Sequence, residues 1–230
     1  MLTRDNPSQW LMLLLLISPV ALFPLTGHAI GVSPTSLTFQ SHQPDQASLM
    51  ILGDTQDSTA INLWVLKREA GENMEHRQIY EGDAIDIFPP QLIVEEGESY
   101  TVTITWNSMA VATTSLSFYV VIETLPVALE DNWKENDSDV IVTTRIHVPL
   151  HVNLPEEERT ISITSSYSAS RECIAVKNTG NHYMALSDLA LNTMLPDQSQ
   201  PVVIHGREIA NSLQTDALIP GAEYCLHLKK

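Results

Sequence analysis

The segment from Asp139 to Pro155, DVIVTTRIHVPLHVNLP, limits the folds open to this chain more than any other. Its even positions are Val140, Val142, Thr144, Ile146, Val148, Leu150 and Val152, all apolar or β-branched. Its odd positions are Ile141, Thr143, Arg145, His147, Pro149, His151 and Asn153, mostly polar. A period of two with one apolar face is the pattern of a β-strand buried on one side. At about 3.3 Å per residue, a strand from Val140 to Val152 would reach about 40 Å. That is roughly twice the usual length, and a small domain cannot hold all of it internally. The segment therefore bends at Pro149, carries the chain from one domain to another, or offers part of its apolar face to another molecule. Pro149 has no amide donor and favours an edge or a bend.

The same reading extends along the chain. Strands are expected at Val32–Phe39, Ser48–Leu52, Thr59–Leu66, Ile85–Phe88, Leu92–Val94, Ser99–Trp106 and Leu116–Ile122. Lys67–Gly82 reads as a charged loop or short edge strands, and Val127–Asp139 as an acidic, solvated loop in which Trp133 covers a core edge. Strands at about ten-residue spacing, with turn signals between them and no convincing amphipathic helix, predict a β-sandwich. Leu154–Arg159 (LPEEER) is a proline-led, charged boundary. Beyond it the pattern resumes at Thr160–Thr164, Cys173–Lys177, Tyr183–Leu191, Pro201–His205 and Tyr224–Leu228. The chain is thus expected to be all-β, with two immunoglobulin-like β-sandwich domains in tandem, over residues 30–153 and 154–230.

Residues 1–29 have a different logic. The apolar run Trp10–Leu25 follows a short segment containing Arg4, and Gly27 and Ala29 are small. This fits a secretory signal peptide cleaved after Ala29. Two prolines and a length near the lower limit for spanning weigh against the alternative, an uncleaved membrane anchor. The mature chain is expected to be exported, with no stable membrane insertion. The net charge of −16 argues against a nucleic-acid partner, which would favour a basic patch. In an exported chain the two cysteines, Cys173 and Cys225, suggest a disulfide; two separate buried thiols are the alternative. The chain contains no Gly-x-Ser-x-Gly, no His-Glu-x-x-His and no phosphate-binding glycine loop, so no enzyme is expected. No cofactor or metal is expected either. His147 and His151 would stand about 13 Å apart along a strand, too far for one ion.

Taken in order, these segments resemble the periplasmic chaperones of the chaperone–usher pilus pathway. Phe88-Pro89-Pro90-Gln91-Leu92-Ile93-Val94-Glu95-Glu96-Gly97-Glu98 is similar to the family's proline pair, short strand and Glu-Gly turn. Leu116–Pro126 (LSFYVVIETLP) resembles its apolar strand ending in Glu-x-x-Pro, with Glu123 and Pro126 at those positions. Thr144–Val152 resembles its last strand and interdomain crossing. Asn178-Thr179-Gly180 and Leu218-Ile219-Pro220-Gly221 resemble two turns of its second domain.

The resemblance implies a soluble periplasmic protein that binds pilus subunits lacking their final strand and passes them to an outer-membrane usher. It implies strand donation, in which backbone bonds supply affinity and alternate side chains set the register. Val140, Val142, Thr144 and Ile146 would be the donor residues. It also implies a basic anchor for the subunit's terminal carboxylate, with Arg145 and His147 as candidates. The first-strand position of that anchor falls on the uncharged Ser36. The rival reading is a secreted immunoglobulin-like structural or adhesion module, a pilus subunit included.

Overall fold

In the first sandwich, strand after strand buries one face and wets the other. The computed structural model describes residues 30–53, 58–71, 74–108, 112–125, 143–196 and 199–227. The expected signal peptide, the acidic loop with Trp133, and Val140 and Val142 lie outside the described residues. One sheet holds β1 (Gly31–Ser33), β3 (Asp45–Leu52), β8 (Ser99–Trp106) and β6 (Ile85–Phe88), in that order. The other runs β2 (Leu37–Gln40), β10 (Arg145–Asn153), β9 (Leu116–Leu125), β4 (Thr59–Ala70) and β5 (Glu75–Ile79), with β7 (Gln91–Val94) also paired to β4. The expected first strand is interrupted at Pro34, and its halves β1 and β2 join opposite sheets. The core between the sheets is built from alternate residues, among them Leu49, Ile51, Ile61, Leu63, Val102, Ile104, Phe118, Val120 and Leu150. β9 departs from alternation: Tyr119 and Val121 on its outer face are buried as well as Phe118, Val120 and Ile122. An apolar run without alternation is what a strand covered on both faces requires.

β4 is longer than its sequence suggests: it continues past Leu66 through Lys67, Arg68, Glu69 and Ala70, and β5 returns beside it as a short edge strand, one of the two readings of Lys67–Gly82. No apolar alternation marks this part, because its side chains meet other charges rather than a hydrophobic core.

The second domain has its own core, centred on Ile174, Val176, Leu186, Ile209, Leu218 and Leu226. β11 (Ile163–Ser168), β12 (Cys173–Asn178) and β17 (Glu223–Leu226) form a sheet. β13 (Met184–Ala185) pairs with β16 (Ala217–Leu218), and β14 (Ala190–Thr193) with β15 (Val202–His205). The segment Tyr183–Leu191 is therefore not one strand: a 3₁₀ turn at Leu186–Asp188 divides it. The reading without a helix is also corrected, because α1 spans Gly206–Leu213. Its hydrophobic contacts come from Ile209 and from the partly buried Ala210 and Leu213. That stripe is too short to stand out from the strand pattern around it. The helix start needs Gly206, since a Cβ there would collide with the Leu186 carbonyl oxygen.

Cys173 and Cys225 are joined by a disulfide that closes a loop across a sequence separation of 52. Replacing both with serine is expected to lower the stability of this small domain by about 2–4 kcal/mol. A urea midpoint equal to that of the intact protein would refute this. Among the described residues no helix is long and apolar enough to cross a membrane.

Candidate functional site: an open strand edge above a buried ion cluster

The site is the outer face of the β10–β9–β4 sheet together with the edge of β10 that no described strand covers. The strand register lays out this face in rows. Nearest the second domain stand His151, Ser117, Arg68 and Arg77. Next come Pro149, Tyr119, Leu66 and Ile79. Above them are His147, Val121 and Trp64, then Arg145, Glu123, Asn62 and Gln91. Leu125, Ala60 and Ile93 complete the face at its far end.

The edge of β10 can be read from three backbone facts. The Thr124 N–H donates to the Thr144 carbonyl at 3.0 Å, and the Ser41 N–H to the Asn153 carbonyl at 2.8 Å. Antiparallel pairs alternate between bonded and non-bonded positions. Ile146, Val148, Leu150 and Val152 therefore turn their backbone groups to β9, and Arg145, His147, Pro149, His151 and Asn153 turn theirs outward. β2 runs parallel to β10 and covers only Leu150–Asn153. Among the described strands nothing pairs with the outward side of Arg145–Pro149. Pro149 has no N–H to offer there, so the β9–β10 ladder is intact despite a proline in its middle.

The apolar face of β10 becomes steadily more exposed toward its start. Val152, Leu150 and Val148 are buried, Ile146 is half-buried against the core, and Thr144 is exposed. Of the four donor candidates, the described residues thus place Ile146 at the rim of the core and Thr144 beyond it. The two anchor candidates lie on the outer face. Arg145 pairs with Glu123 directly across the ladder, and its guanidinium lies 5.9 Å from the Trp64 ring. The His147 ring is 5.3 Å from that of Tyr119. Partial burial, then the charges of Arg77 and Arg145, hold its pKa below the usual imidazole value. Ser36 is exposed in the bend before β2.

Below this open face lies an ion cluster between the domains that no local sequence pattern marks. Arg68 has a fully buried side chain. Its Nε and Nη2 donate to Glu75 Oε2 at 3.0 and 2.8 Å, and its Nη2 also donates to Thr215 Oγ1 at 2.8 Å. Its Nη1 lies 2.8 Å from Asp216 Oδ1. That contact is off the N–H directions and acts as an ion pair rather than a directed hydrogen bond. Arg77 Nε donates to Glu75 Oε1 at 2.8 Å. Both guanidiniums lie over the Tyr119 ring, at 4.4 and 4.8 Å. Tyr119 Oη donates to Asp216 Oδ1 at 3.0 Å, and Tyr224 Oη to Glu75 Oε2 at 3.3 Å. Burial raises both phenol pKa values, so both remain donors. Two backbone contacts add to the junction: Ser115 N–H to the Asn181 carbonyl, and Tyr183 N–H to Ser115 Oγ.

Asp216 is the centre of the cluster on the second-domain side. Burial alone would raise its pKa. The His151 hydrogen bond and the Arg68 charge outweigh that and hold the carboxyl well below the usual range. His151 Nε2 lies 3.1 Å from Asp216 Oδ2, its Nδ1 lies 2.9 Å from Ser117 Oγ, and its ring stacks on Tyr183 at 3.9 Å. A neutral ring protonated on Nε2 satisfies both contacts, with the Ser117 hydroxyl donating to Nδ1. Burial pushes the His151 pKa down, against the opposing pull of Asp216.

This has a consequence for acid stability. Asp216 and Glu75 face His151 with favourable charge, and Arg68 with unfavourable charge; His182 stands beyond Tyr183. The unfolded histidine titrates at about pH 6.5. The stability tied to neutral His151 is fully present above that pH and is lost as pH falls through the lower, folded value. A His151→Gln variant is therefore expected to lose less stability than the parent protein between about pH 7 and pH 5. Parallel stability–pH curves for the two would contradict this.

No protein-family model matches the chain, and no curated protein matches it in sequence. Solved structures do match it in fold. The class 5 fimbriae chaperone CfaA is 12% identical at a TM-score of 0.56, over 88% of this chain and 87% of that one. A chain of the CsuC–CsuE chaperone–tip adhesion subunit complex, from archaic chaperone–usher Csu pili of Acinetobacter baumannii, is 12% identical at a TM-score of 0.57, over 87% and 90%. A chain of the complex of Salmonella enterica SafA pilin with the SafB chaperone is 12% identical at a TM-score of 0.56, over 89% and 86%. The chain has the two-domain immunoglobulin-like fold of these structures.

Proposed function

We propose that this chain is a periplasmic chaperone for pilus subunits. It holds a subunit that lacks its last strand by adding β10 to the subunit's sheet, and releases it to an outer-membrane usher. The observation that carries this reading is the outward side of Arg145–Pro149. Among the described residues it is a strand edge whose ladder groups no strand takes, continuous with an apolar face that leaves the core at Ile146. An exposed edge of this kind invites pairing with another chain, and backbone pairing plus alternate side-chain pockets is how strand addition binds. The fold agrees with the reading, since its structural neighbours include chaperones solved with a pilin or a tip adhesin.

In this reading Val140, Val142, Thr144 and Ile146 enter the subunit's groove. The ladder groups of Arg145 and His147 take its backbone, and the side chains of Arg145 and His147 face its end. Arg145 is held by Glu123, so a carboxylate arriving there would share the guanidinium. Co-expression with pilus subunits in a bacterial periplasm, followed by pull-down, tests the proposal. The parent protein is expected to yield soluble one-to-one complexes, and Val142→Asp to lose them, because a charge in an apolar groove is costly. Capture that ignores the charge would move the site away from this strand. A folded protein that captures no subunit would favour the adhesion-module reading.

A further inference from the structure

The Cys173–Cys225 disulfide is sealed at one end and open at the other. Tyr224 and Leu226 of β17, and Ile174 and Val176 of β12, point into the core of the second domain. By alternation Cys225 and Cys173 lie on the outer face of that sheet. Cys225 stands across the ladder from Ala175, and Cys173 from Ser168 of β11. Cys173 is 2% exposed. Arg171, in the turn just before it, donates to Ser168 Oγ and to Glu223, and so straps this face from β11 to β17. Cys225, in contrast, is half-buried and lines a cavity of about 790 Å³ between β5 and β17.

Two features of that cavity suit a chain that carries a thiol. The first is charge. Thiol–disulfide exchange runs through a thiolate, and neighbouring cations favour that form. Arg77, Arg171, His76 and His227 line the cavity, with Arg171 ion-paired to Glu223. Glu75 is the one carboxylate among the lining residues, and Arg68 and Arg77 already hold its oxygens. The second feature is the backbone. The Asn178 N–H donates to the Ala222 carbonyl across the β12–β17 ladder. Tyr224 and Leu226 therefore turn their backbone groups to β12, and Cys225 turns its own outward. Among the described residues no strand pairs with that side of β17. The N–H and carbonyl of Cys225 can thus hold the backbone of an arriving chain beside the Cys225 sulfur. A small thiol would use the charges but not this edge.

We propose that Cys225 is the exchange cysteine, and Cys173 the resolving cysteine, of a site for a protein dithiol–disulfide oxidoreductase. In the oxidising direction the Cys225 thiolate attacks the partner's disulfide. A mixed disulfide forms, and the partner's second sulfur leaves as a thiolate. The Cys173 thiolate then attacks Cys225 Sγ, and the bond from Cys225 to the partner breaks. The partner departs as a dithiol, having taken two electrons from the chain and the two protons that the cysteines gave up. Reduction runs the same steps backward: a partner thiolate attacks Cys225 Sγ and Cys173 is the leaving group. This inference does not rest on the strand-addition reading.

The test uses the full, folded, oxidised chain and a thioredoxin-type protein whose second active-site cysteine is replaced by serine, which halts exchange at the mixed disulfide. After rapid alkylation, peptide mapping is expected to find about tenfold more adduct on Cys225 than on Cys173. Single variants give a second reading. Cys173→Ser, which keeps Cys225, is expected to couple to glutathione disulfide about tenfold faster than Cys225→Ser, and urea is expected to erase the difference. The trap on the native chain covers the case in which the variants fold poorly. Adduct mainly on Cys173, an even split, or coupling only in urea would overturn the assignment of roles. Coupling to glutathione with none to the protein trap would overturn the choice of partner.

Discussion

Replacing His147 with proline is expected to weaken client capture tenfold to a hundredfold while leaving the fold intact. The His147 N–H points away from β9, so its loss breaks no bond within the sheet. Pro149 already occupies an equivalent outward position two residues on. Ile146, which would precede the new proline, is in extended strand backbone, as a residue before proline requires. What changes is the edge. Within Arg145–Pro149 only Arg145 and His147 carry an outward donor, so the variant keeps one of those two for an incoming strand. A client carbonyl then sits unpaired in the interface, at a cost of about 1–3 kcal/mol. His147→Ala removes the ring and keeps the donor. If the two variants bind alike, the imidazole matters and the ladder does not. If both bind as the parent protein does, Arg145–Pro149 is not the pairing edge.

Arg68→Ala is expected to be the most damaging single substitution for stability, at about 3–5 kcal/mol. The arginine is fully buried between Glu75 and Asp216, so its removal leaves two carboxylates without their main countercharge. Arg77 still reaches Glu75, and His151 and Tyr119 still reach Asp216, which keeps the loss from being larger. Combining Arg68→Ala with Glu75→Gln should recover part of it, because one uncompensated carboxylate is gone. Chemical unfolding of the three proteins measures this. A single variant as stable as the parent protein would mean that the cluster contributes nothing net. The substitution should also loosen the cleft, because Thr215 and Asp216, which Arg68 binds, directly follow the α1 cap Gln214.

The strands that face a hydrophobic core were legible because their pattern is local. Tyr100, Val102, Ile104 and Trp106 alternate with threonines, and β8 follows from that alone. The extension of β4 was not legible, because Arg68 and Glu75 look like solvated loop charges until the second domain is placed against them. Asp216, in Gln-Thr-Asp-Ala, carries no local signal at all. Nor does α1, whose eight residues show a single buried apolar side chain, Ile209.

By itself the sequence determined the all-β, two-domain plan, the position of most strands and the one-sided apolar face of the long strand. Each of these depends on side chains two residues apart, a spacing the backbone imposes directly. The tertiary structure alone decided that β2 covers the edge of β10 only from Leu150, that Arg68 reaches partners at sequence separations of 7 and 147, and that α1 faces Pro149 across a cavity. The physical reason is that charge pairing and edge exposure depend on which distant segments the packed domains bring together, and no short-range period records that.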